Sequence, residues 1–410
     1  MQEIKLPWGA WYSEDPKLLI FPDFWNVEVI GPPYYASYNV ENIDAHIHEF
    51  VSILSKKIAI SEIKNGIGIG IDDLTRPTPA AEIITKIIKA LKDINIPPEK
   101  LHLYIATGSH RIFQKQDYLK KIGKLAYQEC TIHHHSPYCN VSYLGETSLK
   151  TPIYVNSSFV QMDFKLVIGT VLPHSSVGFS GGIKLVVPGL AGIETIKSLH
   201  RSSPDRKGKF ADIEDNPLRA DINEAGKYIG VDFFIQIVCN PDRSIANIFS
   251  GEDILTYSKA IQYLKEKATF FIKKSYDIVI CNAYPLDSEF VQSGKALDVI
   301  RVTKNEIVKN KGTIILSTAA SEGQGFHGLR SPDMIEPFSG DWTESYENRE
   351  LVFFGENISP LMLPEETRVR TKVFNQWNEL LSFLEKKYDH PEICIIPYAS
   401  IQIPIYQKED

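Results

Sequence analysis

The stretch Leu172–Arg201, LPHSSVGFSGGIKLVVPGLAGIETIKSLHR, gathers His174, Lys184 and His200 around Gly178, Gly181, Gly182, Gly189 and Gly192. Glycine at such density serves a backbone that turns tightly or lies against a ligand, and GIETIKSLH reads as a short helix whose N-terminus can face an anion. The composition is that of a phosphate-binding loop, but the P-loop NTPase motif is absent. GxxxxGK[ST] needs glycine directly before the lysine and a hydroxyl after it, whereas Ile183 precedes Lys184 and Leu185 follows. Lys184 is open to three readings: an amine of lowered pKa acting as a nucleophile, a phosphate contact, or a solvated charge. His200, at the end of the predicted helix, also has a plain reading as a cation that favours the helix dipole.

Two further clusters stand just beyond apolar runs. DDLTRPTP supplies Asp73 and Arg76, and ATGSHR supplies Thr107, Gly108 and His110. An arginine there suits a bidentate grip on a carboxylate or phosphate, and a histidine beside it suits proton transfer near neutral pH. The competing reading of Asp73 and Arg76 is a mutual salt bridge that holds the loop. Gln292 and Lys295, spaced i and i+3, fall on one side of a predicted helix, with simple solvation of the lysine as the alternative. The adjacent His133, His134 and His135 cannot converge on one metal from a strand, where neighbours point to opposite faces. His46 and His48 are compatible with one strand face but lack a third ligand, and His327, in SEGQGFHG, is a further candidate.

The elements that must position these residues alternate strand with helix. GIGIGID (Gly66–Asp72) is a strand with Ile67, Ile69 and Ile71 on one face and glycines on the other, an arrangement that lets another backbone approach. After the DLTRPTP loop, Ile83, Ile84, Ile87, Ile88 and Leu91 recur at helical spacing until Pro97 and Pro98, and LHLYIAT (Leu101–Thr107) is the next strand. That order is a βαβ crossover, which implies parallel strands and ligand sites at their carboxyl ends, where DDLTRP and TGSHR fall. The grammar restarts with the strand YDIVIC (Tyr276–Cys281), a helix over QSGKALDVIRVTKNEIV, the strands GTIILST and ELVFFG, a helix near Val373–Leu384, and EICIIPY. The expected class is α/β, with two α/β domains of mainly parallel sheet and an interdomain active-site cleft. Residues 1–268 form the N-terminal cofactor-binding and catalytic domain, joined by the tail 398–410, and residues 269–397 form the C-terminal domain that closes the cleft.

The 410 residues carry 44 Lys+Arg against 51 Asp+Glu, a formal charge of −7, with 43% hydrophobic content, enough for substantial cores. This balance gives no footprint for nucleic acid or anionic membrane. No apolar run is long enough for a membrane span and the N-terminus MQEIKLPWGAWY lacks a secretory signature, so the expected location is the cytoplasm. Cys130, Cys139, Cys239, Cys281 and Cys394 are scattered and never paired as CxxC, which argues for buried thiols over disulfides or a cysteine-ligated zinc.

Taken in order, DDLTRPTP, ATGSHR, PHSSVGFSGGIKLVVPGLAGIETIKSLH and QSGKA resemble the lactate racemase family, which uses a nickel-pincer nucleotide; the likeness runs from about residue 66 to 300 and is weaker in NPLRADINEAGKYIGVDFF. The resemblance implies a pyridinium-3,5-bisthiocarboxylic acid mononucleotide nickel complex, tethered by Lys184, with His200 as the nickel ligand. It implies His110 and His174 as acid/base residues on opposite faces of the substrate carbon. Asp73, Arg76, Thr107, Gly108, Gly181 and Gly182 would line the cofactor, and Arg76, Gln292 and Lys295 would hold the substrate. The implied reaction is racemisation or epimerisation at C2 of a 2-hydroxy acid by reversible hydride transfer, which avoids deprotonating a weakly acidic C–H next to a carboxylate.

The implied partners are a small-molecule 2-hydroxy acid and, transiently, cofactor-synthesis proteins, with no nucleic acid and no membrane; oligomeric state is left open. Val291 precedes Gln292 where lactate-processing members carry a larger aromatic residue, so the acid need not be lactate; Trp342, Phe326 and His327 are candidates for setting specificity. Two other readings stand beside this one: a zinc-dependent hydrolase with His110, His174 and His200 as ligands, and a non-catalytic nucleotide-binding relative.

Overall fold

The computed structural model describes residues 1–31, 35, 41–201, 208–330 and 342–407. Its contacts divide the chain into two compact units, residues 35–264 and residues 1–34 with 265–410. Both are α/β.

In the unit of residues 35–264, the strand Ile67–Asp72 is buried along its whole length, as a central strand covered on both faces must be. It lies between Leu101–Ala106 and Phe164–Thr170, parallel to both. The six-stranded sheet runs Ile245–Gly251, Phe233–Cys239, Phe164–Thr170, Ile67–Asp72, Leu101–Ala106, Thr131–His133, and only its Ile245–Gly251 edge strand is antiparallel. Read by chain order from the other edge, the sequence is third, second, first, fourth, fifth, sixth. The direction of winding reverses between Ile67–Asp72 and Phe164–Thr170, and the crevice at the carboxyl ends of such a pair is where α/β sheets bind ligands.

The helix Ala80–Asp93 covers the sheet with Ile83, Ile84, Ile87, Ile88 and Leu91, all buried, and ends before Asn95, which turns left-handed at φ 61°. One expectation is corrected in part here. Of the glycine face, only Gly66 lies against another backbone, where a Cβ would meet Lys100 O at 2.6 Å; a Cβ on Gly68 would meet the side chain of Met162 at 2.6 Å, and one on Gly70 that of Val167 at 3.3 Å.

The second unit carries a fully parallel sheet in the order Lys372–Phe374, Glu350–Phe354, Val308–Ser317, Tyr276–Asn282, Glu392–Ile396, Asn26–Val29. The domain limits expected from sequence need correction at both termini. Asn26–Val29 pairs with Glu392–Ile396, and Leu6, Leu19, Phe21 and Trp25 share a core with Ile278, Ile315 and Ile393. The tail returns to the same unit, with Ile403–Tyr406 pairing in parallel with Thr269–Ile272.

The helix expected over Gln292–Val308 starts at Phe290 and stops at Val302, α-helical over Phe290–Ser293 and Asp298–Val302 and 3-10 over Gly294–Leu297 between them. Thr303 ends the run by donating its hydroxyl to Val299 O at 2.8 Å, Lys304 and Asn305 turn left-handed, and Val308 already belongs to the next strand. No helix among the described residues is long and apolar enough to cross a membrane.

Candidate functional site

Two neighbouring aspartates end the strand at the switch point, and each has a separate task. Asp72 Oδ2 accepts from the Thr78 hydroxyl at 2.6 Å and from Thr170 N at 3.1 Å, which ties the ends of the two central strands together. Asp72 Oδ1 pairs with Lys121 Nζ at 2.7 Å, and that ammonium also donates to the carbonyls of Asp73 at 2.8 Å and Arg76 at 3.0 Å. Lys121 is 0% exposed, and burial pushes its pKa down against the pull of Asp72 and Asp73. It is thus the internal strut of the DDLTRP loop.

Asp73 turns the other way. Its Oδ1 accepts from Thr75 N at 3.0 Å, and its Oδ2 meets His110 Nδ1 at 2.5 Å. Burial would raise this carboxyl, but His110, Arg76 and the Thr75 hydroxyl hold it well below the ordinary carboxylate range, so it is an anion. An anionic Asp73 accepts the Nδ1 proton of His110 and leaves the neutral ring's lone pair on Nε2, the tautomer a general base needs.

His174 has the opposite tautomer. Ser176 N and Val177 N approach its Nδ1 at 3.2 and 3.4 Å as donors, so the proton of the neutral ring sits on Nε2. His200, the last residue of the helix Ile193–His200, gives its Nδ1 proton to Ile196 O at 2.8 Å. A metal-binding imidazole is oriented in this way, by donating its other N–H to a carbonyl.

Lys184 sits in the short 3-10 turn Gly182–Leu185, which packs against Phe164–Thr170, Ile67–Asp72 and the helix Pro217–Gly226. The side chain is half-buried, and burial, then Arg76 and Arg219, lower its pKa to about 7, with Asp73 and Asp72 opposing. Arg76 does not form the salt bridge with Asp73 that the competing reading supposed. Its Nη1 donates to Thr75 O at 2.8 Å and to the Thr75 hydroxyl at 2.9 Å, and among the described residues no carboxylate pairs with it. A largely buried guanidinium with donors to spare suits an incoming anion.

Gly181 and Gly182 hold positive φ, 80° and 59°, and Gly182 N donates to Gln236 Oε1 at 2.8 Å. A Cβ on Gly182 would lie 3.0 Å from Arg219 Nη2. Thr107 and Gly108 reach the same loop from the other side, since Gly108 N donates to Gly189 O at 2.8 Å and His110 N to Thr107 O at 2.8 Å.

The structure therefore links Asp73, Arg76, Thr107, Gly108, His110, Gly181, Gly182 and Lys184, while His174 and His200 stand on the same glycine-rich segment. Lys121, Thr78, Thr170, Arg219 and Gln236 escaped the reading of the sequence. A signal was present for two of them. Lys121 lies one turn from Tyr118 on the buried face of its helix, and Arg219 lies beside Leu218, Ile222 and Ala225 on the buried face of another.

In the second unit, Lys295 Nζ donates to Gln292 Oε1 at 2.7 Å, as the i, i+3 spacing requires. Trp342 packs face to face on Phe290, 5.7 Å between centroids, and lies 3.5 Å from where a Gly294 Cβ would be, so it supports this turn from its core side. Val291 bonds through its backbone to Gln324 O, Phe326 is exposed, and His327 is half-buried.

The remaining histidines have other partners. His133 lies between His102, at 2.8 Å, and the ring of Tyr104, His134 meets the Tyr118 hydroxyl at 2.7 Å, and His135 meets Ala191 O at 3.1 Å. His46 and His48 stand on the helix Glu41–Lys57, where i and i+2 face apart, rather than on the strand considered for them. No three His, Cys, Asp or Glu side chains among the described residues are grouped to hold a metal, so the three-histidine zinc centre of the hydrolase reading is not formed.

Fold and site together define an α/β protein with a switch-point site built from an anionic aspartate, a histidine held by it, a lysine of lowered pKa and two arginines. Residues 12–210 match the lactate racemase N-terminal domain. Lactate racemase from Thermoanaerobacterium thermosaccharolyticum is 28% identical over 277 residues, 66% of this chain and 63% of that protein. Lactate racemase from Lactiplantibacillus plantarum is 26% identical over 286 residues, 67% of this chain and 66% of that protein. The chain spans less than two thirds of the length of either relative in these alignments.

Among solved structures, the lactate racemase apoprotein from T. thermosaccharolyticum has a TM-score of 0.70 at 22% identity, covering 98% of this chain and 100% of the other. A protein from Thermotoga maritima has a TM-score of 0.68 at 17% identity, covering 90% and 98%. The chain is thus similar in sequence to lactate racemases and shares the fold of the lactate racemase apoprotein.

Proposed function

We propose that this protein is a racemase or epimerase that inverts C2 of a 2-hydroxy acid with a nickel-pincer nucleotide tethered through Lys184. The observation that carries the reading is the meeting, at the sheet's switch point, of an amine with a pKa of about 7, a histidine held by an anionic aspartate, and an arginine with no carboxylate partner among the described residues. The residues fit the group. His200 donates its Nδ1 proton to Ile196 O as a metal-binding imidazole does, burial and the arginines beside Lys184 lower its pKa as a nucleophilic amine needs, and positive-φ glycines let backbone lie close to a nucleotide.

Lys184 would tether the nucleotide, His200 would bind its nickel, and Asp73, Arg76, Thr107, Gly108, Gly181 and Gly182 would line it. Bound there, the group supplies an electrophilic carbon able to accept and return a hydride. The chain's own residues handle the protons and the charge. His110 takes the hydroxyl proton at Nε2, its Nδ1 held by Asp73; His174, with a proton on Nε2, serves the other face of C2. Arg76 would hold the substrate carboxylate, and Gln292 with Lys295, whose Nζ donates to Gln292 Oε1, are the other unit's candidates for the substrate. Proteins that make the cofactor are the expected transient partners, and the cytoplasm the expected location.

The test is chiral chromatography of lactate, malate, aromatic 2-hydroxy acids and sugar acids incubated in D2O with protein produced alongside cofactor-making proteins. The expected result is inversion of at least one acid with the C2 hydrogen retained, because a hydride held by the enzyme does not exchange with solvent. Inversion with deuterium incorporated at C2 would replace hydride transfer by deprotonation. No inversion of any acid by protein shown to carry nickel would favour the non-catalytic reading.

A further inference from the structure

Arg219 is 1% exposed, and among the described residues no carboxylate neutralises its charge. Its Nη1 donates to Phe179 O at 3.3 Å, its guanidinium lies over the ring of Tyr257 at 4.2 Å, and among the described residues its Nε meets no hydrogen-bond partner. Tyr257 is itself fixed by donating its hydroxyl to the same Phe179 carbonyl at 3.0 Å. Asp221 stands two positions along the same helix but accepts from the hydroxyls of Thr147 and Thr151. A buried cation without a counter-charge is costly, which makes its position informative.

That position is against the loop of Lys184. A Cβ on Gly182 would come 3.0 Å from Arg219 Nη2, and Gln236 pins the same glycine through its N–H at 2.8 Å. The loop is thus held between Gln236 and Arg219, with Lys184 two residues further on. We propose that Arg219 is a positioning residue that keeps the Lys184 amine uncharged and nucleophilic, by leaving a sealed guanidinium beside it without a counter-charge; this rests on the reading of Lys184 as the tether.

The charged groups facing Lys184 from the elements packed on it are Asp72, Asp73 and Arg76 from the central strand and its loop, and Arg219 from the helix Pro217–Gly226. Lys165, the charged residue of Phe164–Thr170, stands near the opposite end of that strand, bonded to Met162 O. The two aspartates cannot offset the cations in full, since Asp72 already pairs with Lys121 and Asp73 with His110. Burial is the first cause of the lowering and Arg76 acts in the same direction as Arg219, but in the proposed function Arg76 meets the substrate, whereas Arg219 is closed off and acts in every state. An amine beside a buried cation loses its proton more easily, which is one of the ways an enzyme makes a lysine reactive.

The experiment is competitive acetylation of the full chain, produced without cofactor-making proteins, by acetic anhydride from about pH 5 to pH 10. The amine nitrogen bonds the acetyl carbon, acetate leaves, and the amine proton passes to buffer. Peptide mass spectrometry follows Lys184 against the exposed Lys150. The expected midpoint for Lys184 is about 7 in the unchanged chain. R219M and R219Q are expected to raise it by about one pH unit or more, a roughly tenfold loss of Lys184 acetylation at pH 7, while R219K keeps it.

Far-UV circular dichroism and thermal melting check each variant, and R219Q, which can still donate to Phe179 O, is read where R219M does not fold. If neither neutral variant folds, R219K decides: the unchanged midpoint supports the proposal and an ordinary lysine midpoint overturns it. An ordinary midpoint in the unchanged chain, or an unshifted one in folded R219M or R219Q, also overturns it. Failure of the tether reading shows separately, as the absence of an adduct on protein made with cofactor-making proteins.

Discussion

Asp73 and His110 lie 37 positions apart and share one hydrogen bond, and the proposed chemistry turns on which ring nitrogen that bond occupies. In Asp73→Asn the amide can donate to Nδ1 and place the ring proton on Nε2, removing the base. Turnover of loaded protein is expected to fall by about 10²–10⁴-fold, measured by polarimetry or chiral chromatography. The same substitution reports on acid stability. The Asp73 carboxyl is held below its ordinary value, so its stabilisation is fully present above about pH 4 and is lost as pH falls toward the folded-state value. The Asn variant should therefore show a shallower loss of stability over that acid range in urea titrations. His200→Ala is expected to abolish nickel binding while sparing the adduct on Lys184, read by metal analysis beside intact mass.

Much of this residue-level pattern is legible from residue type just beyond a strand: His110, Asp73 and Arg76 announce themselves in that way. Arg219 and Lys121 do not, because their meaning lies in which face of a helix they occupy and in the partners they lack or find across the fold. The Asp73–Arg76 salt bridge illustrates the limit. Spacing permits it, but His110 occupies Asp73 instead.

At the scale of elements, the loop after Ile67–Asp72 is held by one internal cation. Lys121 reaches from the helix Lys115–Glu129 to the Asp72 carboxylate and two loop carbonyls, and replacing it with Met strands a buried carboxylate. A loss of about 3–5 kcal/mol is expected in urea unfolding of Lys121→Met. Gly182 gives a second test. Its φ of 59° and its contact with Arg219 leave little room for a side chain, so Gly182→Ala should cost about 1–3 kcal/mol and reduce loading of Lys184.

The central strand and the helix after it follow from a two-residue alternation and a long apolar stripe, which tertiary context reinforces. The segment after Gln292 is different. Its apolar spacing fits a helix, yet Gly294, the Thr303 back-bond and left-handed Lys304 and Asn305 divide it, and none of these leaves a periodic signal.

Over the whole molecule, two α/β units of mainly parallel sheet were legible because strand and helix alternate twice along the chain. Membership of the termini was not. Asn26–Val29 finds its partner strand at Glu392–Ile396, and Thr269–Ile272 pairs with Ile403–Tyr406, contacts set by edge pairing and shared core that local sequence does not encode. The central claim, a nickel-pincer nucleotide tethered through Lys184, is tested most directly by intact-protein mass with nickel content. The full chain, its Lys184→Ala variant and the lactate racemase of T. thermosaccharolyticum would be produced in the same cells with cofactor-making proteins. The account predicts an adduct and nickel equimolar with the chain, both of them retained by the relative, and the adduct absent from Lys184→Ala. An unmodified mass without nickel for this chain, in cells where the relative is loaded, would contradict it.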